Sequence, residues 1–187
     1  MARITIRNAR LSFPHIWKKH QYDADSKPKY EATLLISKSD EEQIQTIRDH
    51  IEEKLIDKYE TKAKIPKVLT TNPDKSCFKD GDLVEYDGYA DHMSFKASGD
   101  MQPSILQINK APATEDMNLF YAGCYVDVSI EVWIQDNKYG KRVNANLFAI
   151  RYRGEGEAFS SGRIPQGVED DFEDIDTEDD DLNEADI

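Results

Sequence analysis

The spacing of apolar residues changes period along the chain, and each change predicts an element. Arg3-Ile4-Thr5-Ile6-Arg7 alternates strictly, which predicts a strand with Ile4 and Ile6 facing inward. The apolar and basic run from Leu11 to His20 follows, and Pro14 argues against a regular central strand there. Residues 21–28, rich in Asp, Ser, Lys and Pro, read as a loop. Tyr30, Ala32, Leu34 and Ile36 then share one face of a second strand. Ser39-Asp40-Glu41-Glu42 has the form of a capping box with Ser39 as N-cap, and Ile44, Ile47, Ile51 and Leu55 recur at helical spacing. One amphipathic helix over residues 40–60 is predicted, followed by a basic connector from Lys62 to Pro73.

The remainder of the body returns to period two. Residues 82–89, 92–97 and 104–108 are short strand candidates bounded by Gly and Pro. The strongest pattern is a long hairpin, in which Cys124, Val126, Val128, Ile130, Val132 and Ile134 alternate with Tyr125, Asp127, Ser129, Glu131 and Trp133. After residues 135–140 the chain returns with Val143, Ala145, Leu147 and Ala149 on one face; Asn144, Asn146, Phe148, Ile150 and Tyr152 take the other. Periodicity stops at Gly154. Gly154-Glu155-Gly156 and Ser160-Ser161-Gly162 suggest a flexible linker, and the acidic block beyond has too few apolar residues to offset the entropy of ordering it. The expected organisation is a mainly β body with one long helix over residues 1–154, then a linker and a disordered acidic tail over 155–187.

Charge changes this picture by its distribution. The chain of 187 residues carries a formal net charge of -13, from 24 Lys and Arg against 37 Asp and Glu. Residues 168–187 hold twelve of the carboxylates and no cation, which leaves residues 1–167 at 24 basic and 25 acidic groups. The predicted helix takes eight of those acids with three cations, so the rest of the body has 21 basic groups against 17 acidic ones. An acidic average therefore conceals a mildly basic surface, and an anionic ligand is compatible with it. Two distant cysteines, Cys77 and Cys124, do not make a disulfide framework and suit a reducing compartment. The start of the chain does not read as a signal peptide, and the apolar runs are too short to span a membrane.

Catalytic signatures are missing from the sequence. There is no complete dinucleotide fingerprint, no Walker loop and no G-x-S-x-G or Cys/His arrangement. His15 and His20 with Asp23 and Asp25 could hold a metal in principle, but their spacing fits no recognised site and a polar loop is the favoured reading. Neither an enzyme nor a cofactor is expected. What recurs instead is aromatic residues beside cations: Trp17 with Lys18 and Lys19, Tyr30 with Lys29, Tyr139 with Lys138, Lys141 and Arg142, and Tyr152 with Arg151. A single strand of nucleic acid requires both groups, cations to follow phosphates and flat rings on which unpaired bases stack. Trp17, Tyr30, Trp133, Tyr139, Phe148 and Tyr152 are the candidate stacking residues, and Lys18, Lys19, Lys29, Lys138, Lys141, Arg142 and Arg151 the candidate phosphate contacts. In the tail, Phe172 punctuates the acids, Asp179, Asp180 and Asp181 form an acidic run, and the chain ends Asp186-Ile187. Acids with sparse apolar anchors suit docking into a basic, partly apolar pocket on a partner.

Leu11-Ser12-Phe13-Pro14, Lys29-Tyr30 entering a strand, and Tyr121-Ala122-Gly123-Cys124-Tyr125-Val126 opening a long hairpin together resemble a family of bacteriophage single-stranded DNA-binding proteins. The resemblance covers most of residues 3–154, and the Tyr121–Val126 stretch is its most specific part. It implies an OB-fold body with an acidic tail, no catalysis, and a role in phage DNA replication, recombination and repair in the cytoplasm of the host bacterium. Five or more short strands with one sizeable helix suit such a barrel, with residues 12–30 and 135–142 as the jaws of a groove. The rival reading is a non-enzymatic protein-interaction β-barrel, or an inhibitor that mimics DNA through its acids; an RNA ligand is a third.

Overall fold

The computed structural model describes residues 2–159 and 171–172. The first strand, β1 (Ile4–His20), is long but broken three times. Its pairing with its neighbours shifts register between Ile6 and Ala9, between Ser12 and His15, and again between His15 and His20. Asn8 and Phe13 take positive φ at the first two of these shifts, so Pro14 sits where the ladder is already interrupted. β2 (Lys29–Ser37) pairs antiparallel with β1 and then with β4 (His92–Gly99). β6 (Tyr125–Asn137) and β7 (Gly140–Gly154) form the long hairpin, and a parallel contact from Ser98 to Asn146 joins β4 to β7. The five strands thereby close in the order β4-β2-β1-β6-β7, with β3 (Phe78–Asp80) and β5 (Ser104–Leu106) attached outside the ring. This is a mainly β, OB-like barrel, as the sequence predicts.

The interior is filled by the alternating faces already visible in the sequence. Ile6, Leu11, Leu34, Ile36, Phe95, Val126, Val128, Ile130 and Ile150 are fully enclosed. Phe95, with no exposed surface, packs on Phe78 at 6.0 Å between ring centroids. Truncating it to Ala would cost about 3–5 kcal/mol. Helix α1 (Glu41–Tyr59) turns Ile44, Ile47, His50 and Leu55 into this core and keeps its acids outside. Its N-cap is Asp40, one residue later than expected, because the Asp40 carboxylate accepts from the Gln43 amide while Ser37 and Ser39 bond each other. His50 replaces an aliphatic contact with a polar one: the Val132 amide donates to its Nε2 at 3.1 Å.

Three expectations are corrected. Residues 82–89 form no strand; Gly81–Leu83 is a single 3-10 turn followed by a loop, and the strand before it is Phe78–Asp80. The connector after α1 contains a short helix, α2 (Val68–Thr71), which buries Leu69. In the hairpin, register shifts between Ser129 and Ile130, so Phe148 falls at a bulge and the faces of β7 exchange beyond it. Ile150 is therefore enclosed while Ala149 is half-buried, and Tyr152 packs against the core.

The chain beyond β7 does not leave the barrel at once. Residues 155–159 run back as a strap over the Tyr121–Gly123 turn. The Tyr121 hydroxyl donates to the Gly156 carbonyl at 2.9 Å and accepts from the Gly156 amide at 3.0 Å, and the Phe159 amide donates to the Ala122 carbonyl. Arg10 donates to the carbonyls of Gly123 and Glu157, and its guanidinium lies 4.3 Å from the centre of the Phe159 ring. Gly123 is needed at φ +111 because a side chain there would strike the Glu157 carbonyl, and Gly88, at φ +83, leaves room for the Phe159 ring.

Candidate nucleic-acid interface

A cleft of about 1140 Å³ opens between the irregular end of β1 with the loop after it and the tip of the β6–β7 hairpin. Phe13, His15, His20, Tyr22, Ser26, Lys27 and Lys29 line one wall, and Gln135, Tyr139, Arg142 and Asn144 the other. Lys79, Lys96, Tyr86 and Tyr89, from β3, β4 and the loop between them, complete it. The local conformations follow from the sequence. The two bulges at the end of β1 swing Phe13, His15 and His20 toward this side, and Asp23 stabilises the next turn by accepting from the amides of Asp25 and Ser26. The hairpin tip is tight: Asn137 pairs with Gly140, and the Asn137 side chain accepts from the Tyr139 amide at 2.9 Å. Tyr139 is thus held outward with 81 % of its surface exposed.

Charge in the cleft departs from that of the body. Lys27, Lys29, Lys79, Lys96 and Arg142 line it against only Glu31 and Asp80, and Asp80 is already engaged by Lys38 at 2.8 Å. That pairing holds the Asp80 carboxyl below its ordinary range, and Asp80 together with Asp82 raises Lys38 to about 12. Four rings offer open faces or edges: Phe13, Tyr22, Tyr86 and Tyr139. Tyr86 meets Phe13 and Tyr89 edge-on, each at 5.3 Å, whereas Tyr89 is buried and donates to the Ser12 hydroxyl. His15 and His20 stack at 4.2 Å, with Tyr22 edge-on to His20. Burial and the neighbouring His20 lower the His15 pKa. Cys77 also lines the cleft, and burial pushes its thiol up to about 12.

The residues singled out from the sequence divide into groups. Lys29, Tyr139 and Arg142 come together in the cleft. Lys138 lies over the Tyr139 ring at 5.0 Å, and Lys141 is 3.9 Å from Asp136 on the same hairpin tip. Lys18 and Lys19 are exposed beside the cleft, with Lys19 at 5.7 Å from the half-buried Tyr30 ring. Trp17 and Tyr152 instead pack on the core, both against Phe120. Trp133 and Phe148 are part-exposed outside the cleft lining, and the Arg3 guanidinium covers the Phe148 ring at 5.3 Å. Arg151 donates to the buried Asp127 carboxylate at 2.5 Å, beside Arg153 at 2.9 Å, in a cluster that also fixes the Asn8 amide. Phe172 is 78 % exposed, and Asp179, Asp180, Asp181, Asp186 and Ile187 lie outside the described residues.

Tyr22, Tyr86, Lys79 and Lys96 were not selected from the sequence. Tyr22 lies in a polar, Asp-rich loop without periodic neighbours, and Tyr86 lies in a segment that alternates as a strand does, so spacing set neither apart. No helix among the described residues is long and apolar enough to cross a membrane.

A closed barrel with a cationic, ring-lined cleft between two loops defines a class of proteins in which OB-type folds present a groove to a ligand. The family model for the single-stranded DNA-binding protein of Enterobacter phage Enc34 matches residues 2–182, and the chain belongs to that family. The structure of the bacteriophage Enc34 single-stranded DNA-binding protein in complex with single-stranded DNA is similar at 30 % identity and a TM-score of 0.71, covering 83 % of this chain and 88 % of that one. Protein p50 of Acyrthosiphon pisum secondary endosymbiont phage 1 is 34 % identical over 175 residues, 92 % of this chain and 94 % of that protein. The bacteriophage T7 protein gp2.5, a single-stranded DNA-binding protein, shares the fold at 14 % identity and a TM-score of 0.59, over 89 % of this chain and 99 % of that one.

Proposed function

We propose that this chain binds single-stranded DNA in the cleft between residues 13–29 and 135–145, with little sequence preference, and acts by binding rather than by catalysis. One observation carries the reading: five cations against two acids, and four open rings, converge on one concave surface of a body that is otherwise almost neutral. Lys27, Lys29, Lys79, Lys96 and Arg142 follow the phosphates. Phe13, Tyr22, Tyr86 and Tyr139 stack bases, each contributing about 1–3 kcal/mol. Lys138 and Lys141 extend the charged path along the hairpin tip, and Lys18 and Lys19 extend it at the opposite wall. A site of roughly 4–16 nucleotides fits one OB-type barrel. Family membership supports placing this activity in phage DNA replication, recombination and repair, in the host cytoplasm.

Within this reading the acidic tail imitates the polyanion and competes for the cleft. The strap supplies its geometry: Phe159 ends against Gly88, next to the loop that carries Tyr86 and Tyr89, so the tail starts near the cleft. Twenty extended residues span up to about 65 Å, enough to reach across it. DNA displaces the tail, and Asp179–Asp181 and the terminal Asp186-Ile187 then become available to a replication or recombination partner. Titration of labelled single-stranded and duplex DNA, with the full chain and with a chain ending at Gly167, tests both parts. Preference for the single strand is expected in each. Equal affinity for both forms in both chains, or none for either, would overturn the assignment.

A further inference from the structure

A regular strand would send His15 and His20 to opposite faces, because an interval of five residues inverts the side chain. The register shift between them brings both to one side instead, ring on ring with 12° between their planes. His15 pairs directly across the ladder with Glu31 of β2. One ligand atom from each of His15, His20 and Glu31 falls within 4.8 Å of the others, a cluster unmatched among the described residues. Glu31 is 4 % exposed, and a carboxylate that far from water needs a cation beside it. Lys96 supplies one at 3.3 Å, and the Tyr22 hydroxyl donates to the same oxygen at 3.1 Å. Both belong to side chains with a free path outward, since Lys96 is 45 % and Tyr22 63 % exposed.

We propose that His15, His20 and Glu31 form a binding site for a divalent transition-metal ion of the zinc, cobalt or nickel kind on the floor of the cleft. Two imidazoles and one carboxylate suit these ions, whereas magnesium and calcium require a shell of oxygens. Ligands held about 2.0–2.2 Å from one tetrahedral ion lie about 3.3–3.6 Å apart. The three groups therefore close by up to about 1.5 Å, which rotation of the imidazoles about their soft terminal torsion allows. The rings unstack, the ion replaces the ammonium as the partner of Glu31, and Lys96 turns toward the cleft mouth. Three protein ligands leave coordination positions open to water or to a phosphate oxygen. The ion site stands on this geometry alone; the phosphate bridge rests on the DNA reading of the cleft.

The test uses the full chain, stripped with a chelator and titrated with cobalt(II) while visible absorption is recorded, with zinc followed by calorimetry. One saturable site per chain is expected, weakened at least tenfold in His20→Ala and in His15→Gln, both of which alter half-exposed side chains. Absence of a saturable site, or affinity in both variants equal to that of the native chain, overturns the proposal; ions held by the acidic tail give that second result. One equivalent of zinc should also tighten oligo(dT) binding at least threefold in the native chain but not in His20→Ala. Site-specific ion binding without that gain keeps the ion site and rejects the phosphate bridge. Loss of oligo(dT) binding under every condition, with ion binding intact, rejects the DNA reading alone.

Discussion

The barrel carries exposed rings in two settings, on the strands of one hairpin and around the cleft. Trp133 and Phe148 stand on the strands of the β6–β7 hairpin, Trp133 at a paired position and Phe148 at the bulge, with 39 % and 38 % of their surfaces open. Tyr22, Tyr86 and Tyr139 stand on turns, with 63 %, 54 % and 81 % open, and they face a concave surface crowded with cations. The hairpin rings lie outside it, and Phe148 already has its cation in Arg3. Stacking a base requires an open ring, but holding a strand also requires phosphate contacts within a few ångströms of that ring. Among the described residues, the cleft is where several open rings and several cations meet. On the proposed reading, irregular connections on a rigid barrel carry the binding groups, while the strands hold those connections apart at a fixed distance.

The strongest way to break this contrast is to remove the cleft rings. Replacing Tyr22, Tyr86 and Tyr139 together by Ala should weaken oligo(dT) binding about a hundredfold or more, from at least ~1 kcal/mol per ring. Replacing Trp133 and Phe148 together should change it by less than about twofold, read by fluorescence anisotropy. Equal losses would erase the distinction between the two surfaces.

Removal of the tail comes next. Ending the chain at Gly167 should tighten binding about tenfold at low salt, with the gain fading as screening shortens the reach of the acids. A truncated chain that binds no more tightly would separate the tail from the cleft.

Two arginines sharpen the comparison further. Arg142 lines the cleft, so Arg142→Ala should lower affinity several-fold and flatten the slope of log affinity against log salt by about 0.7, one phosphate contact on a single strand. Arg151 is committed to Asp127. Arg151→Ala should leave that slope unchanged and instead lower thermal stability by about 2 kcal/mol, because a buried carboxylate loses a charged hydrogen bond.

The smallest effect concerns pH. Burial, and then Lys54, lower the His50 pKa, against an opposing pull from Glu53 and Glu131. The folded state therefore prefers neutral His50, and the unfolded chain takes up its proton first. This contribution is fully present above the ordinary histidine value of about 6.5 and is lost as pH falls below it. His15, lowered in the same direction, adds to the trend. Melting temperature should decline as pH falls below about 6.5, and in His50→Gln, which retains an acceptor for the Val132 amide, it should decline less steeply. Parallel slopes would exclude His50 as a source.

The elements legible in the sequence are those with a sustained period. The alternation of Val126, Val128, Ile130 and Val132, and the helical spacing of Ile44 and Ile47, reflect burial on one face, and all six are enclosed. The face of β7 was legible only as far as Leu147. A bulge adds one residue without a mark in the hydrophobic pattern, and every later side chain changes sides. That single shift moves Tyr152 from the expected open face to the core. Residues 82–89 alternate as a strand does, yet Gly81 and Gly88 turn the chain at both ends, and the segment contributes Tyr86 and Tyr89 from a loop. Lys79 and Lys96 reach the cleft through the pairing of β3 with β4, a contact between distant segments that no local spacing encodes. Tyr139 and Arg142 were legible because a hairpin tip is a local structure. Tyr22 was in view in a polar loop but had no periodic neighbours to draw attention to it.

The account is tested most directly by photocross-linking the full chain to oligo(dT) carrying 5-bromodeoxyuridine and mapping the attached peptides. Attachment at Tyr22, Tyr86 and Tyr139, with Trp133 and Phe148 unmodified, is the predicted result. Attachment concentrated at Trp133 and Phe148, with the cleft tyrosines free, would place the strand on the outer face of the hairpin and contradict it.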